Sequence, residues 1–292
     1  KNNRMKKWGE YYKECKKLYG NNNKSIYDLT IQNNIDKKLK LDKKYFILID
    51  EINLKLDKCF QDKLYTHNSN AFFVNDCFLF ENEFSNLIEI YLRDYLQNQI
   101  FGCFIHCDHV TLYKTPTSSE TNTKSATNSW LWHMDNSPQE QIKVMIYLND
   151  VGPKNGPFEV LRNEKTNEGL KITPSRIDHT NWKGKKDPWT FKYKDNTWNS
   201  TRIPDNLFGL FKKDGYIPHK IIGNKGHISI FDNNIIHRGT IPPESHRYAV
   251  VFQFKPINKN LPKVFSKSIT GNGTHHPVFT KDPEFMWDSN KK

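Results

Sequence analysis

The sequence predicts an α+β protein: mainly β, its strands closing into a barrel or sandwich, with flanking helices gathered toward the N-terminus. Three observations carry this. From Phe101 onward, short β-branched and aromatic runs are cut by Gly, Pro and Asn: 103–113, 142–148, 158–161, 227–231 and 248–254. Strands so evenly short suit a barrel or sandwich better than a parallel sheet with crossover helices. Ahead of them, Phe84, Leu87, Ile88, Tyr91, Leu92, Tyr95 and Leu96 recur at the spacing of one buried helical stripe over 83–99. A hydrophobic share of 36% and an aromatic share of 13% in 292 residues supply a sizeable core.

Taken in order, residues 4–19 read as a helix ended by Gly20, so residues 1–100 are expected to form a largely helical segment packed on the core. Residues 101–256 are expected to be the β core. Residues 163–215, with Trp182, Trp189 and Trp198 set among lysines, are too long for an ordinary connection and read as a lid or an inserted subdomain. Residues 257–292, rich in Pro, Lys and Asn, read as a tail packed over the core or partly loose, and the whole as one structural domain.

Composition excludes several classes. The apolar runs are far shorter than the roughly 20 residues of a membrane-spanning helix. The basic start (Lys1, Arg4, Lys6, Lys7) is followed by no apolar stretch of a secretory leader, so the chain reads as soluble and cytoplasmic. Five cysteines, odd in number and unpaired in spacing, argue against a disulfide framework. Cys103, His106, Cys107 and His109 crowd together, which raises a zinc site as an alternative to buried strand residues. The net charge of +12 is concentrated in two places. Residues 1–24 hold eight Lys/Arg against two Glu, and residues 162–220 hold thirteen Lys/Arg against seven Asp/Glu.

In Trp130-Leu131-Trp132-His133-Met134-Asp135-Asn136, a His and an Asp two residues apart project to one face of an extended segment. A third donor is available at His237, in Asn233-Asn234-Ile235-Ile236-His237-Arg238-Gly239. Two imidazoles and one carboxylate on one side of a metal make the facial triad of non-haem Fe(II) oxygenases. Alone, a His beside an Asp is as well read as a hydrogen-bonded structural pair. Its company changes the weight. Arg247 opens the run Arg247-Tyr248-Ala249-Val250-Val251-Phe252-Gln253-Phe254, whose alternation points Arg247 inward with Ala249 and Val251. A buried guanidinium needs an anionic partner, and a dicarboxylate supplies one by a bidentate pair. The alternative is an ion pair with a structural Glu.

With these residues assembled, the chain resembles the phytanoyl-CoA dioxygenase-like family of Fe(II)/2-oxoglutarate oxygenases. The matching pieces are Trp132-His133-Met134-Asp135, the strand from Val144 to Val151 with the turn Lys154-Asn155-Gly156-Pro157-Phe158, the run Gly226 to Asp232 leading to His237, and Arg247. They span about residues 105–256. The resemblance implies a double-stranded β-helix (jelly-roll, cupin-like) with His133, Asp135 and His237 on iron at one open end. It also implies Arg247 on the distal carboxylate of 2-oxoglutarate, with Fe(II), 2-oxoglutarate and O2 as cofactors and ascorbate as a supporting reductant. Tyr113 and Lys114 are further candidates around the co-substrate; Asn136, Arg238, Trp182 and Trp189 are candidates around the substrate. Two departures from the family pattern, Leu161-Arg162-Asn163-Glu164 after the turn and Met145 where an aromatic is common, leave the substrate unread.

The expected reaction is hydroxylation of an unactivated C–H bond with release of succinate and CO2; ring closure, desaturation and epimerisation are alternatives from the same chemistry. The basic stretch between the second and third candidate ligands points to a small anionic substrate: a phosphate, phosphonate, carboxylate or acyl-CoA. Two other readings stand beside it, a polyanion or nucleic-acid binder using the basic segments on a non-catalytic barrel, and a cupin-like metal protein without 2-oxoglutarate.

Overall fold

The computed structural model describes residues 3–20, 24–33, 35–68, 71–121, 128–135, 139–177 and 189–266. Helix α1 (Asn3–Tyr19) ends where Gly20 takes a positive φ of 79°, as its sequence signal demands. After β1 (Ile31–Asn33) and the single turn α2 (Asp36–Leu39) comes α3 (Lys43–Gln61). The carboxylate of Asp42 caps α3 by accepting from the Tyr45 amide at 3.1 Å. Its Tyr45, Leu48, Ile49, Ile52, Leu56 and Cys59 form one buried stripe. The hairpin β2 (Tyr65–Asn68) and β3 (Ala71–Val74) precedes α4 (Glu81–Leu87) and α5 (Arg93–Tyr95). Two π-helical stretches, Ile88–Leu92 and Leu96–Phe101, join these into the one continuous helix that the stripe over 83–99 predicts.

Strands β4 (Ile105–Thr115), which is followed by the single turn α6 (Ser118–Thr121), β5 (Ile142–Tyr147), β11 (Ile228–Asp232) and β13 (Arg247–Pro256) build the centre of a seven-stranded sheet of order β1-β11-β5-β13-β4-β3-β2. A second sheet, β10 (Tyr216–Ile221), β6 (Phe158–Asn163) and β12 (His237–Arg238), faces it in the order β10-β6-β12. Period-2 alternation sorts the side chains. Ile142, Val144, Ile146, Val250, Phe252 and Phe254 leave the sheet on its outer face and pack with Ile52, Leu56, Phe84 and Leu92 of the helices. Met145, Tyr147 and Ala249 point inward to meet Phe158, Val160 and Phe231 between the sheets. Phe158 and Phe231 lie 4.9 Å apart across that gap, and the Tyr147 hydroxyl donates across it to the Ile221 carbonyl at 2.8 Å. This is the double-stranded β-helix.

The expectation of a helical first hundred residues needs one correction: β1 pairs with β11 and the β2–β3 hairpin pairs with β4, so this segment supplies strands at both edges of the large sheet. Runs of three or four residues carry too little periodicity to register in a sequence window, and pairing with an open edge decides them. Residues 163–215 contain a small sheet, β7 (Pro174–Ile177), β8 (Trp189–Tyr193) and β9 (Asn196–Trp198), followed by α7 (Phe208–Lys213). Leu170, Ile172, Phe191, Ile203, Leu207 and Phe211 give it an apolar cluster that also takes in Met134 and Ile236 from the flanks of the candidate triad. The first part of the tail packs down, with Val264 and Phe265 buried; residues 267–292 lie outside the described residues. Among the described residues no helix is long and apolar enough to cross a membrane.

Phe252 is fully buried and meets Phe84 edge to face at 5.2 Å, tying α4 to the sheet. Phe252→Ala should lower unfolding stability by about 3–5 kcal/mol in urea titration, whereas truncation of the exposed Leu54 should change it by less than about 0.5 kcal/mol.

Candidate functional site

His133 and Asp135 sit on an extended segment ahead of β5, and His237 opens β12. Two reciprocal backbone hydrogen bonds join them: the His133 amide donates to the His237 carbonyl at 2.9 Å, and the His237 amide to the His133 carbonyl at 2.8 Å. The Asp135 amide donates to the Asn233 carbonyl at 3.0 Å. Residues paired in this way share a face. The two imidazole centroids lie 4.3 Å apart, with Asp135 Oδ1 3.7 Å from His133 Nε2 and Oδ2 3.6 Å from His237 Nε2. One ligand atom from each residue can be chosen so that all three lie within 4.8 Å of one another, the sole such His/Cys/Asp/Glu group among the described residues.

Each ring is oriented by its other nitrogen. Nδ1 of His133 donates to the Leu131 carbonyl at 2.8 Å and Nδ1 of His237 to the Ile235 carbonyl at 2.9 Å. A carbonyl only accepts, so Nδ1 carries the proton and Nε2 presents a lone pair toward the carboxylate. Burial and the neighbouring His237 push His133 down to about 3, and burial pushes His237 below its usual range. Burial alone would raise Asp135, but the Lys143 ammonium, 2.5 Å from Oδ2, together with the two imidazoles holds it well below ordinary carboxylates. At neutral pH the cluster is therefore two neutral imidazoles and one carboxylate. That donor set fits a divalent metal ion that takes mixed nitrogen and oxygen ligands.

Arg247, 4% exposed, points into the barrel from the start of β13. Its Nη1 donates to the Gly156 carbonyl, its Nη2 to Thr115 Oγ1 at 3.2 Å, and its buried Nε has no partner among the described residues. No carboxylate pairs with it there either, so the alternative of a structural Glu is not realised among the described residues. A buried guanidinium with a spare donor has the capacity to take an anion. Nearby, burial raises the Tyr147 phenol to about 12 against the pull of Arg247, so it stays neutral and contributes hydrogen bonds only.

Other candidates separate. Tyr113 lies in register with Ala249 and Tyr147 on the inner face. Lys114 takes the opposite face of β4 and ion-pairs with Glu120 at 2.7 Å, which corrects its expected place beside the co-substrate: adjacent strand residues cannot both point inward. Arg238 is paired with buried Glu159 at 2.7 Å and lies 4.5 Å over the Trp132 ring, clamping the segment that carries His133. Trp189 is on β8, while Asn136 and Trp182 lie outside the described residues. Among the described residues, Cys103, His106, Cys107 and His109 are not gathered into a group that could hold a metal ion; burial raises the Cys107 thiol well above its usual range.

Sequence reasoning missed two cations. Lys143 had a signal, a charged residue at the inward phase of β5 two positions before Met145. Arg202 had none, lying in a loop of the insertion where no periodicity places it; its backbone forms an antiparallel bridge with His133.

The chain thus has the double-stranded β-helix fold, with a two-His, one-carboxylate cluster inside it. Neither a protein-family model nor a curated protein matches the sequence. Solved structures do match in fold. EctD from S. alaskensis with bound Fe superposes at a TM-score of 0.52 and 11% identity, over 83% of this chain and 79% of that one. The non-heme alpha ketoglutarate dependent carbocyclase SnoK from nogalamycin biosynthesis superposes at 0.50 and 11% identity, over 84% and 83%. This chain also spans 45% of the length of EvdMO1, at a TM-score of 0.40 and 16% identity.

Gly156 receives Arg247 at a positive φ of 64°, and a Cβ there would stand 2.4 Å from the Thr240 carbonyl oxygen. Gly156→Ala should therefore destabilise the protein by more than about 1 kcal/mol. Gly209→Ala, inside α7 with nothing within 4 Å of the new methyl, should stabilise it by about 0.5–1 kcal/mol. Paired urea midpoints check both.

Proposed function

We propose that this protein is a non-haem Fe(II), 2-oxoglutarate-dependent oxygenase. The observation that carries the reading is the conjunction, inside one barrel, of two imidazoles with Nε2 turned to a carboxylate and a buried guanidinium that lacks a carboxylate partner among the described residues. The first suits Fe(II), and the second suits the distal carboxylate of 2-oxoglutarate. The two fold neighbours at a TM-score of 0.50 or above, whose descriptions name bound Fe and alpha ketoglutarate dependence, are in keeping with it.

In this reading His133, Asp135 and His237 hold the iron. With Fe(II), 2-oxoglutarate and O2 bound, the centre supplies an oxidant able to take hydrogen from an unactivated C–H bond while 2-oxoglutarate leaves as succinate and CO2. The chain's own residues orient and enclose. The Leu131 and Ile235 carbonyls keep each Nδ1 protonated, so both imidazoles stay neutral donors. Lys143 holds one oxygen of Asp135 and limits how far the carboxylate can swing. Arg247, steadied by Thr115 and Gly156, would hold the distal carboxylate of the co-substrate, and Phe158 and Phe231, with ring centroids 5.3 and 6.0 Å from that of His237, give the cluster an apolar wall that would limit water there.

Hydroxylation is the reaction proposed, since the carboxylate ligand is present; ring closure, desaturation or epimerisation follow from the same centre with a differently held substrate. The substrate is proposed to be a small anionic metabolite, because residues 162–220, which include the insertion that packs against the triad, carry thirteen Lys/Arg against seven Asp/Glu, half of the net charge of +12.

Anaerobic reconstitution with Fe(II) and 2-oxoglutarate, then addition of O2 and a metabolite mixture, should release succinate. His133→Ala, Asp135→Ala or His237→Ala should each abolish that release with the fold intact by circular dichroism; full activity in any one removes that residue from the metal. Arg247→Ala should weaken 2-oxoglutarate binding by about 2–5 kcal/mol with metal affinity little changed, and Arg247→Lys should recover only part, because a point charge cannot reproduce the guanidinium fork. Normal 2-oxoglutarate binding in both variants would place the carboxylate anchor elsewhere.

A further inference from the structure

The inner face of the large sheet changes character along its strands. Toward the Arg247 end the inward residues Met145, Tyr147 and Ala249 are buried. Past Val251 the face opens: Lys143, Gln253, His109 and Thr111 are half-buried, although Ile142, Val144, Phe252 and Phe254 on the outer face of the same strands are fully buried. A central strand that is closed on one side and reached by solvent on the other borders an opening, so the mouth of the barrel lies over β4 and β13 at the level of Lys143. In register, Gln253 stands between Lys143 on β5 and His109 on β4. Directly opposed residues share a face, with Cβ atoms roughly 5 Å apart. Lys143 in turn reaches Asp135 Oδ2 at 2.5 Å. One row of opposed side chains therefore runs from His109 through Gln253 and Lys143 to the triad.

Within this row the polar groups are answered by one another, except one. Lys143 is paired with Asp135, and Thr111 Oγ1, two residues along β4, is hydrogen-bonded to His109 Nε2 at 3.0 Å. The Gln253 side chain has no hydrogen-bond partner among the described residues. A half-buried carboxamide loses part of its water and here gains no internal bond in return, a cost that a ligand at the mouth would offset. Its chemistry says which ligand. A carboxamide carries no charge, donates through nitrogen and accepts through oxygen. Its match is a neutral group that also does both, a hydroxyl or another carboxamide, whereas an oxyanion could use only the N–H and would set negative charge against the amide oxygen. Resting on the oxygenase reading above, we propose that Gln253 is a specificity-determining residue: it hydrogen-bonds a hydroxyl or carboxamide of the substrate at the barrel mouth and so sets which carbon is presented to the metal. The neutral part of the substrate is then held over β13, and its anionic part lies toward the insertion.

The test uses the full chain loaded with Zn(II) and 2-oxoglutarate, which is inert to O2, with ¹⁵N NMR following the Gln side-chain amides, the Arg Nε–H groups and the His133 amide. Acetamide and acetate, alike in size and different in charge, are titrated separately. The expected result is a saturable shift of the Gln253 side-chain amide and the His133 amide with acetamide, whereas acetate leaves the Gln253 signal in place. In Gln253→Leu the acetamide dissociation constant read at His133 should rise about three- to tenfold, as for the loss of one hydrogen bond, and in Gln253→Asn by a smaller factor. Should Gln253→Leu fail to fold, Gln253→Asn carries the comparison. If 2-oxoglutarate shifts the Arg247 signal but acetamide gives no saturable effect at Gln253, binds equally well to the variants, or is matched there by acetate, the assignment of Gln253 is overturned and the oxygenase reading stands. If 2-oxoglutarate itself has no effect on the zinc-loaded protein, the oxygenase reading falls and takes the assignment with it.

Discussion

Two hydrogen bonds between the backbones of His133 and His237 hold together pieces of chain that have little else in common: an extended segment before β5 and the two-residue strand β12 of the smaller sheet. Everything about the site descends from this pairing. It brings the imidazoles side by side with their planes inclined at 51°, leaves Asp135 beside both Nε2 atoms, and puts the insertion on the other side of His133 through the Arg202 bridge. Backbone pairing is a stiff way to place side chains, since strand geometry fixes the phase of every residue along it. The Nδ1 bonds to backbone carbonyls then remove the remaining ring freedom, so the cluster is organised by main chain before any metal contributes.

The charges around this cluster are arranged in depth. Lys143 answers Asp135 at the level of the triad, and Arg247 waits at the far end of the same sheet with its guanidinium on Thr115 and Gly156. In register, Lys143 lies opposite Gln253 on β13, whereas Tyr147 lies opposite Ala249, two residues from Arg247. The barrel interior thus runs from a carboxylate-bearing end to a purely cationic one.

What could be read in advance follows a physical line. Residues whose role is set by strand phase were legible: β4, β5, β6, β11 and β13 each announce themselves by short β-branched runs, and alternation alone turns Arg247 inward. The same rule, applied to neighbours on one strand, separates Tyr113 from Lys114, so that expecting both at the site asked one strand to face two ways. Lys143 was visible as a charge on the inner phase of β5 but reads as ordinary without a partner to explain it. Arg202 and the strands β1 to β3 were not visible, because their places are decided by what they pair with far away in sequence and not by any local period. Arg238, a candidate substrate contact, has its charge already answered by Glu159, a partner only the fold reveals.

The order of strands has a consequence for how the chain reaches this state. β13 lies in the middle of the large sheet, bonded to β5 on one side and β4 on the other, although it is made after both. On the ribosome, β4 and β5 therefore emerge with facing edges that only a much later segment can fill, and hydrophobic side chains on those strands wait uncovered meanwhile. Contacts this distant in sequence slow folding, and open edges invite pairing with other chains. The large sheet is therefore complete only when Arg247–Pro256 lies between β4 and β5, and the same strand delivers the guanidinium to the barrel.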